Sequence, residues 1–138
     1  VTVPATVHQA KFSMGTVLGL IAVHGSAQLT EFRDFALTDA DVDAFREKVS
    51  MTLDPEVDAA YPGRWLGRVT VTTTDGRTLH AAIDEPKGDP SNTLSRPELE
   101  AKFQRLLAYS GARTEAQGKA LIEKVWHLRD AQALADLI

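Results

Sequence analysis

Two short segments of the sequence carry residue types that bind anions. Lys11 and Ser13 come just before the apolar stretch 14–23. There, a cation, a hydroxyl and the unpaired N–H groups of a helix start could together hold a carboxylate. Lys87 and Asp89 flank a glycine and precede a proline, so a sharp loop presents both charges. The alternatives are a solvated lysine at a helix start and an ordinary turn.

The other polar patterns do not predict a metal site. The four histidines lie far apart, none forms an i, i+4 pair on a helix, and the chain has no cysteine, so zinc-ligand spacing is absent. Each histidine is predicted to be a surface group or to be hydrogen-bonded locally. Asp39, Asp41 and Asp43 resemble the start of a calcium loop, but Ala44 and Ser50 stand where that loop needs glycine and glutamate.

The composition narrows the function classes further. The chain has 138 residues, the length of one domain, and its net charge is −4, which argues against nucleic-acid binding. No P-loop, GxGxxG or GxSxG sequence occurs, so neither nucleotide binding nor the nucleophile elbow of an α/β-hydrolase is supported. The longest apolar stretch is too short to cross a membrane. Because cysteine and a signal-peptide pattern are absent, we expect a cytoplasmic protein.

In the first half of the chain, periodicity and capping residues predict two helices and a strand. The first helix covers 14–23 and is expected to be buried on nearly all sides, with Gly15 and Gly19 allowing close packing and Gly25 ending it. A second helix, started at Thr38, is expected to continue through Lys48. The alternation in 49–53 predicts a strand, and 54–66 is predicted to be a loop.

The second half is predicted to hold a β-hairpin and helices. A three-residue turn at 74–76 would pair Val71 with Leu79 and Val69 with Ala81, which places the apolar side chains on one face. A helix capped at Ser95 and ended by Gly111 should bury a stripe of leucines and phenylalanine. Further helices are expected after Thr114 and from about residue 130. The predicted fold class is α+β: an antiparallel sheet that contains the hairpin, packed with helices on one face.

Several of these segments resemble the MmgE/PrpD family, which includes 2-methylcitrate dehydratase, cis-aconitate decarboxylase and iminodisuccinate epimerase. The resemblance is strongest in 86–95 (PKGDPSNTLS) and 98–103 (ELEAKF). It continues in AKFSM at 10–14, in DPE at 54–56 followed by YP at 61–62, and in DGRTL at 75–79. The motifs occur in the family's order and cover nearly the whole chain.

The resemblance implies that the chain is part of a longer enzyme. Members have an all-helical domain, formed from both chain ends, and a smaller α+β domain inserted between them. Residues 1–110 would form the smaller domain, and 111–138 would be helices that return to the helical domain. The implied parent is a cofactor-independent lyase or isomerase, a cytoplasmic homodimer acting on small di- and tricarboxylates. The family's central catalytic residues lie mainly in the helical domain, so we expect no catalytic residue here and an inactive isolated fragment.

The resemblance also assigns roles to the anion-binding candidates. Lys11 and Ser13 become the first candidates for contacts to a substrate carboxylate, and Lys87 is a candidate at the rim of the cleft. Asp89 is expected to stabilise its own loop. Thr16 stands where some members carry an aromatic residue, so a tyrosine role is not transferred. The rival hypothesis is a non-catalytic module that binds a small anion or mediates dimerisation.

Overall fold

A computed structural model describes residues 1–130 and divides the chain into two compact units. The first unit, Val1–Thr52, is helical, and the second begins at Leu53 and contains a two-stranded antiparallel sheet together with helices. The predicted α+β class is therefore confirmed, including its hairpin. None of the helices in residues 1–130 has both the length and the apolar character needed to cross a membrane.

Four helices build the first unit around a small core. They are α1 (Val7–Ala10), α2 (Met14–His24), α3 (Leu29–Asp34) and α4 (Ala40–Arg46). Among the described residues, the core consists of Ala10, Leu20, Phe32, Ala36 and Val42. Each of these helices contributes to the core or borders it, so the start of α2 is held by the packing of the whole unit.

Helices α2 and α4 approach each other closely at two glycines of α2. A Cβ atom added to Gly19 would lie 2.9 Å from the carbonyl oxygen of Val42, and one added to Gly15 would lie 2.7 Å from Cγ of Arg46. The predicted role of both glycines in close packing is confirmed. Gly25 ends α2 with a φ of 80°, as the sequence predicts, because glycine adopts this left-handed conformation without strain.

We expect Gly19→Ala to destabilise the first unit, although alanine is the better helix former. The added methyl group would meet backbone rather than a flexible side chain. Overpacking of this kind costs about 1–3 kcal/mol, against about 1 kcal/mol gained in helix propensity. Thermal unfolding followed by far-UV circular dichroism measures the difference. Ala22→Gly, at an exposed position of α2, is the control that measures the effect of helix propensity on stability alone. A Gly19→Ala protein that is more stable than the wild type would disprove the close contact.

Three expectations for the first half of the chain are wrong in detail. Helix α2 is not buried on nearly all sides, since Ile21 is 46% exposed. Asp39, not Thr38, caps α4, because the Thr38 hydroxyl donates instead to the carbonyl of Asp34 at 2.8 Å. Residues 49–53 form no strand, because the sheet in the described part of the chain consists of two other strands that pair with each other.

The second unit contains a hairpin, three helices and a 3₁₀ turn within its described residues. In chain order these are α5 (Pro55–Ala60), β1 (Gly67–Thr72), β2 (Thr78–Ile83), α6 (Arg96–Ser110), α7 (Glu115–Trp126) and the 3₁₀ turn Leu128–Asp130. Helix α5 lies inside the segment expected to be a loop. Asp54 caps it by accepting from the N–H groups of Glu56 and Val57, and Pro55 occupies its first turn.

The hairpin has the register that the sequence predicts. Val71 lies opposite Leu79, and Val69 lies opposite Ala81. Gly76 takes the left-handed conformation of the turn, with a φ of 84°. Within the described residues, however, every residue of β2 is exposed, and the apolar face is therefore left largely uncovered.

Helices α6 and α7 begin as predicted, with Ser95–Glu98 and Thr114–Gln117 capping boxes. The Arg96 guanidinium lies 4.7 Å from the ring centre of Trp126 and links the start of α6 to the end of α7.

The expected burial of the apolar stripe of α6 is wrong. Its members are exposed or half-buried in the structure, because α7 covers only part of α6. These members are Leu99, Phe103, Leu106 and Leu107. The helix expected from about residue 130 lies outside the described residues.

Candidate functional site

Ser13 forms the start of α2 and is completely buried. Its hydroxyl oxygen accepts a hydrogen bond from the N–H of Thr16 at 3.4 Å and another from the Thr16 hydroxyl at 3.0 Å. Thr16 is itself fully buried. The Ser13 hydroxyl thus accepts a hydrogen bond from a backbone N–H of the first helical turn, which has no partner within the helix. Its most direct effect is to fix the position at which α2 begins.

Lys11 is exposed two residues before this cap. Its backbone is helical, with φ −64° and ψ −20°, and it forms the C-cap of α1. Among residues 1–130, no carboxylate lies within ion-pair distance of its ammonium group, whereas most arginines of the described chain are paired. Lys11 and Ser13 thus lie two residues apart before α2, but only Lys11 is exposed, and its charge has no partner among the described residues.

His8 and Phe12 complete the surface beside Lys11, and the sequence reasoning missed both. Their ring centres lie 5.2 Å apart in an edge-to-face arrangement with an interplanar angle of 62°. Phe12 remains 67% exposed. Contact with His8 therefore orients the Phe12 ring but does not bury it.

Lys87 belongs to the second unit and is paired. Its Nζ lies 3.0 Å from Oε1 of Glu98, the glutamate that caps α6. The loop around it is closed by backbone bonds, including one from the N–H of Gly88 to the carbonyl of Asn92 at 2.8 Å. The side chain that stabilises the loop is that of Asn92, which donates to the carbonyl of Glu85. The Asp89 carboxylate forms no side-chain hydrogen bond within the described residues, so its expected stabilising role is not seen.

Glu98 gives this region a measurable response to acid. The backbone N–H and hydroxyl of Ser95, together with Lys87, lower the pKa of Glu98 from 4.5 to about 2. Because the pKa is lower in the folded chain, the stabilisation is present above about pH 4.5 and is lost as the pH falls towards 2.

We therefore expect Glu98→Gln, which keeps a side chain able to cap α6, to make unfolding less sensitive to pH in this range. Urea midpoints measured across the range test this expectation. Glu47→Gln is the control, because Glu47 is an exposed glutamate of the first unit with no described ion pair. Equal pH sensitivity in the Glu98 variant and the wild type would contradict the assignment.

A histidine–carboxylate pair, also missed from the sequence, lies at the opposite end of α2. Nε2 of His24 is 2.8 Å from Oδ2 of Asp39, and the imidazole stacks on Phe35 with ring centres 4.0 Å apart. The backbone N–H of Asp41 and the His24 ring lower the pKa of Asp39. Since 11 residues of helix span about 16 Å, this pair is remote from Lys11 and joins the end of α2 to the start of α4.

The candidate residues lie in two different units and differ in what they can offer a ligand. No group of three potential ligands among the described residues could hold a metal ion. Lys11 offers a cation, and Ser13 fixes the helix start beside it. Lys87 lies in the other unit with its charge compensated by Glu98. The chemistry that Lys11 can perform is electrostatic recognition of an anion.

Comparison with known families agrees with the motifs. Residues 1–128 match the MmgE/PrpD C-terminal domain, and the chain belongs to this family. No curated protein shows a significant match to the chain. The family match covers the four helices of the first unit and α5, the hairpin, α6 and α7 of the second.

Proposed function

We propose that this chain is the substrate-contacting part of a cofactor-independent lyase or isomerase that acts on small di- or tricarboxylates. The observation that carries the proposal is Lys11, just before α2, which has no ion-pair partner among residues 1–130 of a chain of the MmgE/PrpD family. Removing a proton next to a carboxylate builds up negative charge, which cationic and N–H donors stabilise. In this proposal Lys11 holds a substrate carboxylate, and the catalytic base comes from another part of the enzyme.

The other two candidates take supporting roles in this proposal. Ser13 acts mainly through the helix start that it caps, since its hydroxyl is buried and bonded to Thr16. Lys87 contributes at the rim only if it leaves Glu98, because the two are in contact at 3.0 Å. We further propose a cytoplasmic homodimer, with residues 1–110 as the smaller domain and 111–138 as helices returning to a helical domain.

The proposal is tested with the complete gene product. We expect turnover or binding with 2-methylcitrate, cis-aconitate or a related polycarboxylic acid, with no added cofactor. Proton NMR in D₂O distinguishes the three reactions, because epimerisation exchanges the abstracted proton for deuterium, whereas dehydration loses water and decarboxylation loses carbon dioxide. A complete protein that neither binds nor converts any of these acids would show that the substrate class is wrong.

A second candidate function is a contact module, and the uncovered hairpin favours it. Leu79 is 51% and Ile83 49% exposed, and Val71 on the facing strand is 42% exposed. Apolar side chains exposed together on one face are typical of a surface that another domain or subunit covers. Reading the coding sequence upstream of Val1 distinguishes the two functions. A helical, histidine-containing domain encoded there would support the enzyme and rule out an independent module.

A further inference from the structure

We propose that His8 and Phe12 form one anion site with Lys11, and that this site recognises a ligand with two carboxylates separated by an apolar carbon chain. The proposal rests on the proposed function and deepens it, since it adds two recognition residues and specifies the ligand class. Nothing in the motifs that identify the family involves His8. The argument uses only the placement, charge and exposure of residues in the first unit.

The first step is placement. Helix α1 includes His8, and Lys11 continues its helical backbone as C-cap. The two residues are therefore three apart on one helical turn, which brings their Cβ atoms to within about 5–6 Å on the same face. Both side chains are exposed. One turn of helix thus presents an ammonium group and an imidazole side by side.

The second step is charge. Residues 1–30 contain no aspartate or glutamate, although the whole chain has 19. The ionisable side chains of this stretch are His8, Lys11 and His24. Among the described residues, neither His8 nor Lys11 is paired with a carboxylate. Although the protein is acidic overall, an anion that approaches His8 and Lys11 meets two donors that are not paired with a carboxylate of the described residues.

The third step is the aromatic contact. The edge-to-face packing on Phe12 restricts the His8 ring, while Phe12 remains 67% exposed. An exposed aromatic ring in contact with a polar donor provides an apolar surface for the carbon chain of a ligand. Two donors on one helical turn match two carboxylates, since an imidazole N–H and an ammonium each donate to a carboxylate oxygen.

The proposal predicts selectivity between two acids of the same carbon number. Succinate and butanoate differ only in the second carboxylate, and isothermal titration of the complete protein measures both. We expect succinate to bind about tenfold or more tightly than butanoate, because a hydrogen bond to a charged group is worth at least this ratio. His8→Ala should bring the ratio close to one, and His8→Arg should restore it. Lys11→Ala should weaken binding of both acids.

A matched control and two adverse outcomes complete the test. His127→Ala removes another exposed histidine, in the second unit, and should leave both affinities unchanged. If His8→Ala keeps the succinate preference, or if His8→Arg fails to restore it, His8 has no part in recognition and this inference is wrong. In that case, weaker binding by Lys11→Ala would still support the proposed function. If the wild-type protein binds neither acid and converts no polycarboxylate, the proposed function itself fails.

Discussion

Replacing Leu20 with alanine is expected to lower the free energy of unfolding of the first unit by about 2–5 kcal/mol. Leu20 is completely buried, and it is the largest fully buried side chain of the core that also contains Ala10, Phe32 and Val42. A core this small has few atoms that could move to fill the space. Chemical denaturation followed by far-UV circular dichroism measures the change, and the carboxylate binding proposed for Lys11 should weaken with it.

The neighbouring residue provides the matched control for this experiment. Ile21 has a side chain of the same size on the same helix, but it is 46% exposed. Because nearly half of this residue already contacts water in the folded chain, we expect Ile21→Ala to cost only about 1 kcal/mol. If the two variants were equally destabilised, Leu20 would not be part of a packed core, and the arrangement of α2 against α4 would be wrong.

Replacing Lys11 with alanine in the complete protein is expected to weaken the proposed carboxylate binding by about 1.5–3 kcal/mol, or roughly tenfold to more than a hundredfold. The ammonium group has no ion-pair partner among residues 1–130, so its removal breaks no described salt bridge. The loss should therefore appear in KM or kcat rather than in stability. Steady-state kinetics and a thermal melt on the same sample separate the two effects.

Lys48 is the matched control for Lys11. It is also an exposed lysine of the first unit and also lacks a described ion pair. Lys48→Ala removes the same charge from a different surface and should leave KM and kcat unchanged. Equal effects of the two substitutions would point to the overall charge of the protein. If Lys11→Ala changed neither KM nor kcat, Lys11 would be an ordinary surface lysine.

The features predicted correctly from the sequence depend on local chemistry. The hairpin register follows from the glycine turn and the alternation of Val69 and Val71, which only one pairing places on a single face. The capping boxes at Ser95 and Thr114 follow from a hydroxyl and a carboxylate or amide three residues later. Such signals lie within a few residues of each other, so a single sequence contains all of the information.

The features that were missed depend on partners distant in the sequence. Alternation in 49–53 meets the local requirement for a strand, but a strand also needs a neighbour, and the described part of the chain provides none. The pairing of His24 with Asp39 depends on how α2 packs on α4. The contact of His8 with Phe12 is closer in sequence, and the absence of acidic residues from 1–30 is a signal that could have directed attention to it.

The division into two units determines what optical probes can report. Both tryptophans, Trp65 and Trp126, and both tyrosines, Tyr61 and Tyr109, belong to the second unit. Intrinsic fluorescence therefore follows the hairpin and the α6–α7 pair, while unfolding of the helices that hold Lys11 produces no direct emission change. A tryptophan introduced at Phe45, a half-buried position of α4, would give the first unit its own fluorescence signal.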